Sequence, residues 1–333
     1  MSTLFLYYWL EDDDVCMLAW DEDGVEEELR LEAESPLVLQ QITTIYDILE
    51  APQIERAQEF HTTLRLLSER LLKPFAALID THTLIRFTVT PDLIKAPLDL
   101  LLHRDQYLFV QRPVCYQVDI GLVDDEPQFE IENALVLADS NSDPLQACLE
   151  VAKQIDGSLY AEGENAIVAV LEEHAEDIDL IVVSARGRLN EDNTGAIVLN
   201  DEELDAEQIA QFGAWIVYFD SSQQGINTDY LGAFQYLSSV EYYVAPIIST
   251  EANRSYSDTM LWFMEKLLAS KNPFQALFET RQRLFNDNSA EAGSDPIEVL
   301  RESYAFRLYE FVEYIDDEED ELDGADFLYA PTA

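Results

Sequence analysis

The spacing of apolar residues along this chain changes twice, and each change marks a different kind of structure. Through residue 33, short runs rich in β-branched and aromatic residues, TLFLYYWL, VCMLAW and EEELRLEA, are separated by acidic turns, with DEDG as a hairpin signal. This pattern predicts a small antiparallel meander. Over 54–79 the period lengthens. Phe60, Leu64, Leu67 and Leu71 recur at three- and four-residue steps, which predicts one long amphipathic helix laid on that meander. Residues 84–119 alternate apolar and polar positions around Pro91 and Pro97, and read as strand, turn, short apolar segment and strand pair.

From Asn133 the grammar changes again. Continuous apolar runs, ALVLAD, SLYAEG, DLIVVSA, WIVYFDS and EYYVAPIIS, alternate with helical stretches expected around 145–155 and 166–174. Such alternation predicts a parallel sheet covered on both faces by helices. Asp205 with Gln208 three residues on forms a capping-box signature, and Asn272 followed by Pro273 marks a second helix start, so helices are expected near 206–212 and 273–285. In SDTMLWFMEKLLAS, a further apolar helix, Met260, Trp262 and Phe263 read as core filling. The fold class is therefore α/β: a mostly parallel sheet flanked by helices, preceded by a smaller β-rich and helical N-terminal region. The expected divisions are 1–130, 131–312 and an acidic tail at 313–333.

Charge narrows the range of partners. The 333 residues carry 67 acidic and 19 basic side chains, a formal net charge of −48. Nucleic-acid backbones and anionic lipid have the same sign, so a basic protein is the natural counterpart. Cys16, Cys115 and Cys148 are few, dispersed and odd in number, unlike a disulfide framework, which points to a reducing, cytoplasmic setting. The N-terminal LFLYYWL is too short to span a membrane and has no basic leader, so it reads as a strand.

In an open α/β sheet the working groups lie beyond the carboxyl ends of strands. Two such places are Arg186-Gly187 after DLIVVSA and Asp220-Ser221-Ser222-Gln223-Gln224-Gly225 after WIVYF. His61, His82, His103 and His174 all fall elsewhere, and the three cysteines lie in apolar strand or helix patterns. Placing Gly324 in a calcium loop leaves Ala330 at the closing ligand position, which rules the loop out. With no phosphate-cradling glycine loop either, neither a metal nor a cofactor is expected.

The order of these elements over roughly 65–285 resembles the CHAT family, caspase-like domains related to caspases and separases. Family members carry a strand ending in His-Gly, of the form DIIHxAxHG, and a second ending in SACxTG, which holds the nucleophilic cysteine. Residues 179–187 are similar to the first motif in the leading Asp179, the apolar run and Gly187, but Val182 and Arg186 stand where the histidines would be. FDSSQQG is similar to the second in spacing and retains Gly225, with Ser222 at the cysteine position. AIVLNDEELDAEQIAQF is similar to the short strand, acidic turn and capped helix between the two.

The resemblance implies a degenerate dyad. An arginine keeps its proton at any working pH, and a serine without an adjacent base is a weak nucleophile. Losing members of such a unit costs several orders of magnitude in rate. The expected function is a catalytically inactive pseudoprotease that binds protein in a bacterial proteolytic or defence-type system, with a basic or repeat-containing partner. Two alternatives are an acidic mimic that occupies a basic groove, and a hydrolase using Ser222 with relocated chemistry. Arg186 and Asp220, opposite charges at neighbouring strand ends, either pair, directly or through Ser222, or stand as two independent surface charges. The sequence assigns no oligomeric state.

Overall fold

A computed structural model of the chain describes residues 2–24, 26–119, 129–163, 166, 178–250, 254–290 and 293–311. Residues 167–174 of the helix expected at 166–174, His174 among them, and the acidic tail lie outside the described residues. Among the described residues no helix is long and apolar enough to cross a membrane.

The strands in chain order are β1 (Thr3–Glu11), β2 (Asp14–Asp21), β3 (Glu26–Leu31), β4 (Leu84–Val89), β5 (Leu102–His103), β6 (Gln106–Tyr107), β7 (Val114–Gln117), β8 (Asn133–Ala138), β9 (Gly157–Glu162), β10 (Leu180–Ser184), β11 (Arg186–Leu189), β12 (Gly195–Leu199), β13 (Glu202–Leu204), β14 (Ile216–Asp220), β15 (Tyr242–Pro246) and β16 (Phe306–Glu310). Eleven of them form one sheet in the order β3-β2-β1-β4-β7-β16-β15-β14-β10-β8-β9. It is mostly parallel and flanked by helices. The N-terminal antiparallel meander extends one edge, with Gly24 at φ +81° in the β2–β3 turn. The arrangement is consistent with a caspase-like α/β fold.

Direction reverses once in the interior of this sheet. β8, β9, β10, β14 and β15 run parallel to one another, as do β1, β4, β7 and β16. The two blocks meet antiparallel at β15 and β16, with Val244 opposite Leu308. The last described strand is thus inserted between β15 and β7 at the centre of the sheet. Its FRLYE sequence is buried at all five positions.

Two charged residues sit on that inserted strand without facing water. The Glu310 carboxylate takes two bonds from Arg86, at 2.6 and 3.1 Å, one from Gln117 at 3.2 Å and one from the Tyr242 hydroxyl at 3.1 Å. Arg307 donates to the carbonyls of Ile94 and Ala96 and lies 3.9 Å from the centre of the Tyr116 ring. Next to it, Arg281 pairs with Asp99 at 2.8 Å, and Asp99 also accepts from the hydroxyls of Tyr116 and Tyr304. Burial pushes the Asp99 carboxyl up, but Arg281 and Arg307 more than offset this and hold it below the usual range. Buried charges survive when paired and hydrogen-bonded; Glu310 meets Arg86 and Gln117 within its own parallel block and Tyr242 of β15 across the junction.

The single helix expected over 54–79 is interrupted. It comprises a 3-10 turn at Ile54–Arg56, a helix at Ala57–Leu71, a second 3-10 turn at Lys73–Phe75 and a short helix at Ala76–Thr81. Pro74 accounts for the break after Leu72, since it has no amide to donate. The apolar face is the expected one: Phe60, Leu64, Leu67 and Leu71 are all buried. The Tyr8 hydroxyl donates to the Leu71 carbonyl at 2.8 Å, which fastens this helix to β1. A further helix, Ser35–Glu50, has no counterpart among the sequence expectations. Residues 84–119 hold β4, two 3-10 turns, the β5–β6 hairpin, a helical turn at Leu108–Gln111, and β7.

Candidate functional site

Strands β8, β10 and β14, buried along most of their length, lie side by side, with Ala138 opposite Ser184 and Ser184 opposite Asp220, so their carboxyl ends stop at one level. Beyond that level lies a cavity of about 440 Å³ lined by Asp139 and Asn141 after β8, Arg186 after β10, Asp220 and Ser222 after β14, and Thr250 after β15. Val198 and Asp201 from the β11–β13 sheet complete one wall. Arg186 and Ser222, the two positions singled out from the sequence, therefore line one cleft.

The strand carrying Arg186 does not end in a loop. After Ala185 the chain enters β11, which pairs antiparallel with β12, and β12 pairs with β13 to form a separate three-stranded sheet. Arg186 is exposed on this hairpin, with Val198 opposite. Its neighbour Gly187 lies against the β14 loop: a Cβ there would stand 2.2 Å from the Ser222 carbonyl oxygen. A Cβ at Gly225 would stand 2.7 Å from the carbonyl oxygen of Ala245. Both glycines of the family-like motifs thus permit close backbone approach, independent of any chemistry.

Ser222 is clamped. Its hydroxyl donates to the Thr250 carbonyl at 3.0 Å and accepts the Thr250 N–H, also at 3.0 Å. The surrounding loop is held from several sides. Gln223 N–H donates to the Ile248 carbonyl, and its side-chain amide donates to Tyr46 and Glu50 of the helix Ser35–Glu50. Tyr243 donates to the Gln224 carbonyl and Tyr309 to that of Gly225. Ser221 is fully buried, and its hydroxyl has no hydrogen-bond partner among the described residues.

Of the two arrangements open to Arg186 and Asp220, the structure shows independent charges. No hydrogen bond or ion pair among the described residues joins them, and the hydroxyl at Asp220 belongs to Ser184, at 3.5 Å. Ser222 cannot bridge them because Thr250 already holds it. The physical reason lies in the hairpin: β11 carries Arg186 out over the cleft, while Asp220 sits half-buried at its base. Burial and the nearby charge of Asp143 push the Asp220 carboxyl up to about 7. Asp143 itself is raised chiefly by burial, although it caps the helix Ala147–Ala152 by accepting the amides of Ala147 and Cys148 at 2.8 Å.

The histidines and cysteines have other roles. His82 lies 3.3 Å from Asp21, His103 lies 2.8 Å from Asp80, and His61 is exposed on its helix. All three cysteines are free and buried, and burial together with Asp143 and Asp220 lifts the Cys148 thiol well above its ordinary range. Among the described residues no group of three or more His, Cys, Asp or Glu is placed to hold a metal ion. Asp179, the leading residue of the first motif, accepts the amides of Glu132 and Asn133 at 2.8 and 2.9 Å and ties β10 to β8. Val182 is fully buried within β10.

Sequence reasoning missed Asp139, Asn141, Asp201 and Thr250. The strand-end rule that led to Arg186 also reaches Asp139, which directly follows ALVLA. Thr250 likewise directly follows EYYVAPIIS, whereas Asp201 arrives through the turn between β12 and β13, and no local pattern marks it. No protein-family model matches the chain, and no curated protein matches it.

Proposed function

We propose that the chain is a caspase-like pseudoprotease that has kept the cleft and lost the chemistry, and that it works by binding another protein, of basic character, in a bacterial proteolytic or defence-type system. The observation that carries this reading is the state of Ser222. Its hydroxyl already donates to one backbone group of Thr250 and accepts from another, and among the described residues no base is hydrogen-bonded to it. A nucleophile needs a base positioned to take its proton, and Arg186 cannot serve. Cytoplasmic residence fits the buried free thiols.

Hydrolysis with relocated residues has one observation in its favour, the Asp220 carboxyl near 7, because a perturbed carboxyl in a cleft is a candidate base. The hydroxyl that meets it, however, is that of Ser184, which is sealed from solvent and out of reach of a substrate. A serine-reactive fluorophosphonate separates the two readings. The native protein is expected to show no adduct at Ser222 above the level of heat-unfolded protein. Selective labelling of Ser222 in the folded chain would overturn the pseudoprotease reading.

A further inference from the structure

The helix Thr228–Leu237 begins at Asn227, whose side chain accepts the amide of Asp229 at 3.0 Å, and it lies beside the helix Ala206–Ala210. Between them is a groove of about 850 Å³, separate from the cleft. Its apolar part is unusual for this surface: Tyr236 is 44% exposed and Leu237 is 62% exposed. Gly232 lies in the same groove, and a Cβ there would meet nothing within 4 Å, so the floor has space for an incoming side chain. The rim is acidic. Asp205, Glu207 and Asp229 line it, and among the described residues no basic side chain does. Two of these charges are fixed in place, Asp205 by the backbone amide of Gln208 and Asp229 by that of Gly195, both at 2.9 Å.

We infer that this groove is the docking surface for a basic amphipathic segment of a partner protein, with apolar side chains seated over Gly232 and against Tyr236 and Leu237, and with lysines or arginines meeting the rim. The inference rests on the protein-binding reading above and gives it a place. Charge complementarity selects the occupant. A second copy of a chain with net charge −48 would bring like charge to the rim, and nucleic acid would do the same. An apolar helix face flanked by cations satisfies both the floor and the rim.

The test uses the full chain and a labelled leucine–lysine peptide with its leucines at i, i+3, i+4 and i+7, read by fluorescence anisotropy at about 150 mM salt, where surface charge alone is largely screened. Gly232→Leu fills the groove at a helical position that accepts a side chain, so the variant should melt no lower than the parent. Binding is expected to weaken by at least about tenfold in Gly232→Leu and in Leu237→Ser, and with a peptide whose leucines are replaced by serine. Unchanged affinity in Gly232→Leu, equal binding of the serine peptide, or self-association that Gly232→Leu abolishes would each overturn the inference. None of these outcomes bears on Ser222 labelling, so failure of the groove and failure of the pseudoprotease reading give different results.

Discussion

Replacing Glu310 with alanine is expected to lower folding stability by about 3–5 kcal/mol, because it leaves Arg86 buried without its carboxylate. Arg86 is only 4% exposed, so water cannot take over the lost bonds. What remains, Thr3 Oγ1 at 3.2 Å, the rings of Phe5 and Phe274 at 5.5 and 5.4 Å and the neutral Cys115 thiol, is too little to offset a desolvated guanidinium. The Gln117 and Tyr242 side chains lose their acceptor in the same step. Urea denaturation near neutral pH measures the effect. Adding Arg86→Met to the variant should restore much of the loss, since removing both charges costs less than orphaning one. A loss below about 1 kcal/mol, within the range of exposed pairs, would mean that this buried pair does not hold β16 to β4.

The second large effect is at Asp220. Its carboxyl is raised from 3.8 to about 7, so the folded chain holds a proton there that the unfolded chain releases. The resulting stabilisation is fully present below about pH 4 and is lost as pH rises through about 7. A tenfold difference in acidity between the folded and unfolded chain corresponds to about 1.4 kcal/mol, and the open, half-buried position reduces the total to roughly 2 kcal/mol. Asp220→Asn keeps the shape and removes the charge. It is expected to be more stable than the parent by that amount at pH 8, to match it near pH 4, and to flatten the profile between. Thermal melts across this range read the difference directly. A variant less stable than the parent at pH 8 would show that the ionised carboxylate is well accommodated in the cleft.

Much of the architecture is legible in the sequence because burial and pattern agree. β8, β10, β14 and β15 are continuous apolar runs, as strands covered on both faces must be, and the Asp205–Gln208 capping box forms with both of its bonds. β16 is not legible. FRLYE alternates charge with apolar residues and looks half-exposed, yet every position is buried, because the partners of Arg307 and Glu310 come from β4, β7, β15 and the loop after β4, all remote in sequence. The helix Ser35–Glu50 carries one recognisable start signal, Pro36 in its first turn, but has neither a side-chain cap at its start nor an acidic residue in that turn to reinforce it.

The candidate site is legible in part. Strand-end reasoning places Arg186, Asp220 and Ser222, and all three line one cavity. Their mutual contacts are not legible, because they depend on where the β11 hairpin carries Arg186 and on the Thr250 loop that captures Ser222. Opposite charges at adjacent strand ends do not fix the directions of their side chains.

The most direct measurement incubates the purified chain with a mixed peptide library and counts new termini by mass spectrometry, with Ser222→Ala and Arg186→Ala in parallel. All three proteins are expected to leave the library as intact as buffer does. Cleavage by the parent that disappears in either variant would contradict it.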